Sequence, residues 1–592
     1  MINIPNWLSC CPPSPTPALY DRGLTNTEQI CKIEWFLKQL TDYVNTLGTV
    51  QDIDASNIYF IDKINDLREF SLTVNCGLLV VNNGENNVVP TGTIFQDGID
   101  ILFICGTLSG DFTINGNVLA GRQRLFGDGS SIKINTDKNP IGFPEYFGAT
   151  PNNVEYDNSD AINKCITTFP CTQLASCDYY IEKPIEISIS HRTIKGVQIN
   201  QEYLPGNDGL GTRLIQISPT SHGIVIGDGT ENAETCTTVH VEQLSILNYQ
   251  PVWNNKTYGV YINGARAVYI DHITCNNFRD GFHFGYVIQS YITYSRHLSQ
   301  KPNSDTSVSC GFGFDDLPAS SLGIASTVSL YINYCDVHFN NHSTTNYGVR
   351  FYNDQNPIAD VWVQNCNFYG CASCILFASN YTGSDTMQDI IISNNCCDNC
   401  SDGIHIIGRI VCNIYGNWVS VGIWNSITKH GIYLTNCDNG SVVCGNTIKS
   451  GNTVTDESDY GIRVTGGYNI VCTGNLIYNY AHPIYCNDVV GLELVGNAIT
   501  NTKQNFDSIP AITVESVRGC SIDCALSSRS PYTYQFGVQV ISDCYGVNIN
   551  PNCLVNTAIS QNKIIISGEA QTNDNVYKVL TDGNTISGAI TW

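Results

Sequence analysis

The feature that most constrains the fold of this chain is a short motif that recurs through its middle. The motif is a glycine followed by an apolar residue, any residue and a second apolar residue, as in YGVYI and HGIYL. Its strong copies begin at Gly223, Gly259, Gly281, Gly311, Gly348, Gly403, Gly431, Gly461 and Gly537, and weaker copies place Cys374, Pro483 and Ala511 at the same position. Successive copies lie 22 to 37 residues apart, a period that indicates a solenoid.

Two positions of the motif are apolar in every copy. The first, directly after the glycine, holds Ile224, Val260, Phe282, Phe312, Val349, Ile375, Ile404, Ile432, Ile462, Ile484, Ile512 and Val538. The second holds Ile226, Ile262, Phe284, Phe314, Phe351, Phe377, Ile406, Leu434, Val464, Cys486, Val514 and Val540. Residues with period two lie on one face of a strand, so we predict one strand per turn, stacked in parallel around a continuous core. The expected fold is all-β, a single-stranded parallel β-helix of about 12 or more coils.

A recurring Gly-Asn pair follows several of these strands. Its asparagines are Asn417, Asn446, Asn475 and Asn497. Asparagine tolerates the left-handed backbone of a tight corner, and its amide can bond the equivalent amide of the next coil. We interpret the four residues as a structural ladder and not as a binding site.

The overall charge limits the possible partners. The net charge is -24, so the chain shows no basic footprint for nucleic acid, and anionic membrane surfaces are disfavoured as well. The N-terminus lacks the pattern of a secretory signal, and no run of about 18 apolar residues occurs, so we expect no membrane insertion. Only 14% of residues are charged, which indicates a surface built from Asn, Thr, Ser and Gly, as in β-rich solenoids.

The 27 cysteines are scattered and odd in number, so we expect most of them to be reduced. Cys371 and Cys374, like Cys397 and Cys400, have the spacing of zinc knuckles. Their positions relative to the motif make them neighbours in consecutive coils. A stack of thiols is therefore favoured over zinc or a late disulfide, and we expect no metal and no cofactor.

The N-terminal region has a different character. Residues 1–20 are rich in proline, and residues 24–47 repeat apolar side chains with heptad spacing, at Ile30, Ile33, Leu37, Leu40, Val44 and Leu47. The spacing predicts a short α-helical coiled coil, in a trimer or a higher oligomer. The alternative is a single amphipathic helix that packs on its own domain.

Three segments that precede the repeats resemble a known family. LAGRQRLF at 119–126, PEYFGA at 144–149 and NSDAINKCI at 158–166 resemble the segment that begins the β-helix in the pectate-lyase-like superfamily, and in phage tailspikes above all. The chain departs from the pattern at Tyr146, where tryptophan is usual, and at 151–156, which replace a Gly-Asp-Gly loop. The resemblance implies a right-handed β-helix, closed at its N-terminal end by a helix that starts near Ser159 and turns Ala161, Ile162 and Ile166 inward.

The resemblance also implies a domain order. Residues 1–71 would anchor the protein to the particle through the coiled coil, and 72–142 would form a small β domain. Residues 143–560 would form the capped β-helix, and 561–592 a C-terminal β segment for trimerisation. The implied assembly is a homotrimer on a virion, attached through its N-terminus to tail, neck or portal-proximal proteins and assembled in the bacterial cytoplasm. Its implied ligand is a bacterial surface polysaccharide.

The residue between the two apolar positions of the motif faces outward. Along the stack this position holds Tyr261, His283, Gly313, Arg350, Leu376, His405, Tyr433, Arg463, Tyr485, Thr513 and Gln539. Aromatic rings and Arg or His donors suit sugar rings and acidic sugar groups. We predict that Tyr261, His283, Arg350, Tyr352, His405, Tyr433 and Arg463 bind carbohydrate. The alternatives are that Tyr and Thr simply favour exposed strands, or that this face contacts another subunit.

Three carboxylates near strand ends are candidates for catalysis. Asp315 and Asp316 follow one strand and Asp354 follows the next, which predicts a separation of about 8 Å, within the range of an inverting glycosidase pair. The alternative role of such residues is to cap turns. Elimination from a uronate, assisted by Arg350 or Arg463, is a second possible chemistry. The leading hypothesis is a tailspike that binds a bacterial surface polysaccharide, and whether it also cleaves that polysaccharide is left open; a non-enzymatic appendage or adhesin, and a free lyase or hydrolase, are the alternatives.

Overall fold

The computed structural model describes most of the chain between residues 57 and 579. The described residues are 57–197, 211–230, 235–302, 304–315, 317, 327–340, 343–352, 359–379, 387–422, 429–438, 440–451, 459–502, 506–528, 532, 534–541, 544–549, 559–567 and 578–579. The predicted coiled coil at 24–47, Asp316, Asp354 and most of the C-terminal segment 561–592 lie outside them. The contacts form two compact units, one reaching Leu174 and including Arg192–Ile194, the other comprising Ala175–His191 and the residues from Lys195 onward. The predicted domain boundaries stay predictions.

Helices are few among the described residues. The α-helices are α1, Leu67–Thr73, and α2, Ser159–Thr168, and short 3-10 helices cover Ile61–Lys63 and Pro144–Phe147. Helix α1 begins at Asp66, whose carboxylate accepts hydrogen bonds from the backbone N–H groups of Arg68 and Glu69 at 2.8 and 3.2 Å. No helix in the described part of the chain has the length and apolar character that crossing a lipid bilayer requires.

The remaining elements are strands. The first seventeen are β1 Ile58–Phe60, β2 Cys76–Val81, β3 Asn86–Val88, β4 Thr93–Phe95, β5 Gly98–Phe103, β6 Thr107–Ser109, β7 Asp111–Ile114, β8 Val118–Leu119, β9 Ser131–Ile134, β10 Ile141–Gly142, β11 Cys171–Gln173, β12 Asp178–Ile181, β13 Ile185–Ile187, β14 Arg192–Lys195, β15 Arg213–Gln216, β16 Ile224–Ile226 and β17 Thr237–Asn248. The next fifteen are β18 Tyr258–Ile262, β19 Ala265–Asn276, β20 Asp280–Phe284, β21 Val287–Thr293, β22 Arg296–Ser299, β23 Ser309–Phe314, β24 Thr327–Asn333, β25 Asp336–Phe339, β26 Asn346–Tyr352, β27 Ala359–Gln364, β28 Asn367–Tyr369, β29 Ser373–Ala378, β30 Met387–Ser393, β31 Cys396–Cys400 and β32 Asp402–Ile407. The last are β33 Ile410–Tyr415, β34 Trp418–Val421, β35 His430–Cys437, β36 Val442–Cys444, β37 Thr447–Ser450, β38 Tyr460–Thr473, β39 Leu476–Tyr478, β40 His482–Asn487, β41 Val490–Asn501, β42 Phe506–Glu515, β43 Arg518–Ser528, β44 Tyr534–Ile541, β45 Tyr545–Ile549, β46 Ile559–Ser567 and β47 Lys578–Val579.

The first unit is itself a short parallel solenoid. Its strands β1 to β9 form three sheets in the orders β1-β2-β5-β8, β3-β6 and β4-β7-β9. Leu79 pairs with Ile101, and Ile101 pairs with Val118, one residue from each coil. Helix α2 begins at Ser159 as predicted, and it buries Ala161, Ile162 and Ile166. Cys165 of this helix lies in the same apolar core as the strands of the first unit.

The second unit is the predicted parallel β-helix. The motif strands β16, β18, β20, β23, β26, β29, β32, β35, β38, β40, β42 and β44 pair in parallel, each with the equivalent strand of the next coil. Residues of the first apolar position lie directly above one another, as in Val260, Phe282 and Phe312. All twelve residues of that position are fully buried. The register predicted from the repeat is therefore confirmed.

The close approach of neighbouring strands explains why the motif begins with glycine. A Cβ atom on Gly259 would lie 2.5 Å from the sulfur of Cys275 and 2.7 Å from the carbonyl oxygen of Gly281. The side chain of the following strand therefore fills the space that a side chain at the motif position would need. The motif glycines do not have a left-handed backbone. Packing against the neighbouring strands, and not backbone conformation, is therefore the reason that glycine is required.

The asparagine ladder is present and longer than predicted. The side-chain amides donate from Asn395 to Asn417, from Asn417 to Asn446, from Asn446 to Asn475 and from Asn475 to Asn497, at 2.9 to 3.0 Å. These asparagines are almost completely buried, so each bond satisfies polar groups that water cannot reach. The prediction that the asparagines have a left-handed backbone is wrong, because the preceding glycines have φ of 62 to 67° and the asparagines do not have positive φ.

Cys371, Cys374, Cys397 and Cys400 are all fully buried. Burial, and then the neighbouring thiols of the other three, hold the pKa of Cys374 well above its usual range. Within the described residues, no group of three or more His, Cys, Asp or Glu side chains is arranged to hold a metal ion. The arrangement agrees with a stack of small apolar thiols.

Candidate functional site

The outward-facing residues of the motif strands form one straight column, which we call the outer column. In parallel register it contains Tyr261, His283, Gly313, Arg350, Leu376, His405, Tyr433, Arg463, Tyr485, Thr513 and Gln539. Six of the seven predicted carbohydrate-binding residues therefore share one line. The seventh, Tyr352, lies two residues after Arg350 on the same strand and is 39% exposed. Most of the column is half-buried, and His283 is only 4% exposed.

The upstream cluster consists of Tyr261, Asp280, His283 and Asp315. The His283 ring lies between two carboxylates, with Nδ1 2.8 Å from Asp280 and Nε2 3.0 Å from Asp315. The Tyr261 hydroxyl donates to the other oxygen of Asp315 at 2.7 Å. Asp280 is buried and also accepts a hydrogen bond from the backbone N–H of Cys310. Asp315, with 25% of its side chain exposed, is the carboxylate of this cluster that reaches solvent.

The contacts of the upstream cluster fix its charges. Burial opposes the charge on His283, but hydrogen bonds to Asp280 and Asp315 outweigh burial and raise its pKa. Burial likewise opposes the charge on Asp315, but its hydrogen bond to His283, the charge of that ring and the Tyr261 hydroxyl hold its pKa below the usual range. The imidazole therefore donates from both nitrogens, and Asp315 is an ionised carboxylate. Such a group can accept a proton or attract a positive centre, but it cannot donate a proton.

The downstream cluster consists of Asp402, His430, Tyr433, Tyr460 and Arg463. Nδ1 of His430 lies 2.9 Å from Asp402, and Nε2 lies 3.2 Å from a terminal nitrogen of Arg463. Because a guanidinium only donates, Nε2 must be the accepting nitrogen and His430 must be neutral. The guanidinium carbon of Arg463 lies 4.9 Å from the ring centre of Tyr433 and 4.7 Å from that of Tyr460.

Arg350 has a similar aromatic environment between the two clusters. Its guanidinium carbon lies 5.5 Å from the ring of Tyr347 and 5.4 Å from that of Tyr352. His405 lies between Arg350 and Arg463 in the outer column and stacks on Tyr433 with 4.5 Å between ring centres. Burial, opposed by Asp402 and supported by the charge of Arg463, lowers the pKa of His405 to about 4. His405 is therefore neutral at neutral pH.

The sequence reasoning missed the residues that hold these clusters in place. Asp280, Asp402, His430 and Tyr460 all stand directly before the glycine of the motif, and they lie in one column beside the outer column. The signal was present in the motif itself, because DGFHF, DGIHI, HGIYL and YGIRV all begin with an acidic residue, a histidine or a tyrosine. The residue before the glycine lies outside the Gly-apolar-x-apolar pattern, so the pattern alone does not predict its partners.

A second set of aromatic residues lies on a different sheet. We call it the lateral ladder; it comprises His240, Tyr269, Tyr291, Tyr331 and Trp362, whose rings stack at 4.3 to 5.2 Å. Each ring face is covered by the ring of the next coil, so edges rather than faces meet the solvent. The ladder has little ring face left for a sugar, and this favours a structural role.

The catalytic pair predicted from sequence is only partly visible. Asp315 lies in the upstream cluster, whereas Asp316 and Asp354 are outside the described residues. Asp280 cannot serve as the second carboxylate, because it is buried and already bonded to His283. Within the upstream cluster, Asp315 is thus the one carboxylate that reaches solvent, and it stands beside a column of aromatic and cationic side chains.

The fold is similar to that of phage tailspike proteins. The tailspike of Escherichia coli bacteriophage HK620, solved in complex with a pentasaccharide, aligns with a TM-score of 0.53 at 11% identity, over 74% of this chain and 80% of that one. Tailspike protein 3 of bacteriophage CBA120 aligns with a TM-score of 0.43 at 14% identity, over 76% of this chain and 63% of that one. The sequence matches no family model and no curated protein. In fold, then, the chain resembles phage tailspikes with a right-handed parallel β-helix.

Proposed function

We propose that this chain is the subunit of a phage tailspike that binds a bacterial surface polysaccharide along the outer column. The observation that carries the proposal is the column itself, in which Tyr261, Arg350, Tyr433 and Arg463 lie in strict register on parallel strands of one stack. Repeated aromatic and donor groups along one line suit a repeating linear ligand. The likeness to tailspikes, one of which holds a pentasaccharide, supports the same conclusion.

Binding to a panel of purified capsular and O-antigen polysaccharides tests this proposal. Tyr352→Ala should lower the affinity for the bound polysaccharide about tenfold, as expected for an exposed aromatic anchor. The matched control is Tyr369→Ala, since Tyr369 is equally exposed, at 38% against 39%, but lies on another sheet. Equal losses for both variants, or no binding to any polysaccharide, would contradict the proposal.

A second candidate function is hydrolysis of that polysaccharide, which the upstream cluster favours. Asp315 would take a proton from water as the water oxygen bonds to the anomeric carbon. The glycosidic bond would break as a protonated carboxyl gives its proton to the leaving oxygen, and Asp316 and Asp354 are the proposed sources of that proton. New reducing ends are expected, whereas unsaturated uronates would indicate elimination instead. Intact polysaccharide after prolonged incubation would favour the adhesin alternative.

The proposed assembly is a homotrimer attached to the virion through residues 1–71, with 561–592 as the trimerisation segment. The heptad at 24–47 supports this arrangement. Light scattering on the purified protein should give three times the chain mass of 65.0 kDa. A monomer of the full chain would contradict the trimer and weaken the tailspike proposal.

A further inference from the structure

Two arginines of the outer column carry charges that no described carboxylate neutralises. The other column-facing ions are already engaged: Asp315 bonds to His283 and Tyr261, and Glu515 accepts from the Tyr485 hydroxyl at 2.6 Å. By contrast, arginines elsewhere, such as Arg213 and Arg296, form ion pairs with aspartates. Among the described residues, Arg350 and Arg463 have no such partner.

Both arginines are also incompletely hydrogen-bonded. Nε of Arg350 and Nε of Arg463 are shielded from water, and neither has a hydrogen-bond partner among the described residues. A buried donor on a charged group without a partner is unfavourable, so its persistence calls for an acceptor that binds there. The aromatic residues around each guanidinium hold it in place, and the Tyr347 side chain also hydrogen-bonds to Arg350, but these neutral groups do not cancel the charge.

His430 strengthens this conclusion for Arg463. Its neutral ring accepts one terminal N–H and thereby orients the guanidinium without cancelling its charge. Asp402 bonds to the opposite nitrogen of that ring, so the carboxylate lies on the far side of the imidazole from Arg463. The remaining N–H groups of the guanidinium are therefore available to an outside oxyanion.

We infer that the outer column has two anion-binding positions, at Arg350 and Arg463, and that its ligand is an acidic polysaccharide whose carboxylate or phosphate groups they bind. This inference rests on the proposed function. The two residues are four strands apart in the column, which corresponds to about 19 Å between strands spaced at 4.8 Å. Leu376, His405 and Tyr433 lie between them and add no positive charge at neutral pH. The ligand should therefore present acidic groups about 19 Å apart, separated by a neutral stretch.

The test compares acidic and neutral polysaccharides of the same panel on the full-length wild-type protein. Acidic polymers should bind and neutral ones should not. Carbodiimide and borohydride reduction of the carboxyl groups should weaken binding about tenfold or more if the acid is a uronate, and removal of phosphate with hydrofluoric acid should do so if it is a phosphate. Binding of the untreated polymer should also weaken as sodium chloride is raised from 50 to 500 mM, because mobile ions screen the contacts.

Arg350→Gln and Arg463→Gln should each lower affinity for the acidic polymer about tenfold or more. The affinity that remains should depend little on the charge of the polymer. Arg518→Gln is the matched control, because Arg518 also lies over a tyrosine ring, at 5.9 Å from that of Tyr545, but stands outside the column. Tight binding of neutral or carboxyl-reduced polymers would overturn the inference and leave the proposed function intact. Binding to no polysaccharide would overturn both. A change of oligomeric state in the two variants would show that these arginines contact a second subunit, and it would also overturn the inference.

Discussion

The upstream and downstream clusters both contain an Asp–His hydrogen bond, yet they leave different charges at the surface. In the upstream cluster the second partner of His283 is another carboxylate, Asp315, so the ring is a cation and the exposed group is an anion. In the downstream cluster the second partner of His430 is Arg463, so the ring is neutral and a half-buried cation accompanies the half-buried Asp402. The second neighbour of the imidazole thus decides whether the ring carries a charge. The upstream cluster is suited to proton transfer and the downstream cluster to anion binding.

The largest expected effect comes from removing the charge of the upstream carboxylate. If Asp315 is the base, Asp315→Asn should lower the rate of cleavage about 10²- to 10⁴-fold while affinity for the polysaccharide changes little. Reducing-end release measures the rate, and an equilibrium binding assay measures affinity. Asp488→Asn is a suitable control, since Asp488 is exposed and lies outside the outer column. A cleavage rate equal to that of the wild type would remove Asp315 from the mechanism.

A third histidine, His297, extends the comparison, because it is bonded neither to a carboxylate nor to an arginine. His297 is fully buried in an inward-facing column beside Cys275 and Val337, and neither ring nitrogen bonds a side chain of the described residues. Burial lowers its pKa from 6.5 to about 4. Between these values the unfolded chain binds a proton that the folded chain excludes, so stability falls as pH falls from 6.5 to 4, by about 3 kcal/mol.

His297→Leu should remove that acid sensitivity, because leucine has no proton to gain. Denaturant unfolding at pH 7 and pH 4.5 should show a smaller loss of stability for the variant than for the wild type. At pH 7 the variant should be at least as stable as the wild type, since it no longer buries an unpaired polar ring. The prediction fails if both proteins lose the same free energy of unfolding on acidification.

The charge of His283 should be visible in the pH dependence of cleavage. Because the pKa of Asp315 is held below its usual range, Asp315 stays ionised, and can act as a base, well into the acid range. His283→Gln removes the positive ring, so the pKa of Asp315 should rise and the acid limb of the rate profile should move to higher pH. At a pH near that limb the variant should lose about tenfold more activity than it loses at pH 7. An unmoved limb would show that His283 has only a structural role.

The smallest effect is expected for the histidine of the downstream cluster. His430→Leu should weaken binding of the acidic polysaccharide by about three- to tenfold, because Arg463 loses one orienting acceptor but keeps its charge. The pH optimum of cleavage should not move. If His430→Leu shifts the pH profile as His283→Gln does, the two clusters do not have separate roles.

The sequence predicted the second unit well because the features that define it are periodic. The Gly-apolar-x-apolar motif specifies which side chains lie inward and which lie above one another, and this was enough to place Arg350 and Arg463 in one column. The lateral ladder escaped detection, because Tyr269, Tyr291, Tyr331 and Trp362 follow no shared motif and recur at 22, 40 and 31 residues.

Pairings between neighbouring columns were harder to predict than positions within one column. The contact from His430 to Arg463 joins residues 33 apart, and that from Tyr261 to Asp315 joins residues 54 apart. Such contacts depend on side-chain rotamers and on the twist between strands, neither of which periodicity specifies. The burial of His283 has the same origin, since the carboxylates that enclose it come from its own strand and from the next.

The central claim is that the outer column is the polysaccharide site, and a structure with bound oligosaccharide tests it most directly. The ligand would be a fragment of whichever panel polysaccharide the wild-type protein binds. We expect sugar rings along the motif strands, with acidic groups at Arg350 and Arg463. Sugar bound at the lateral ladder, or on any surface that leaves both arginines without contact, would contradict it.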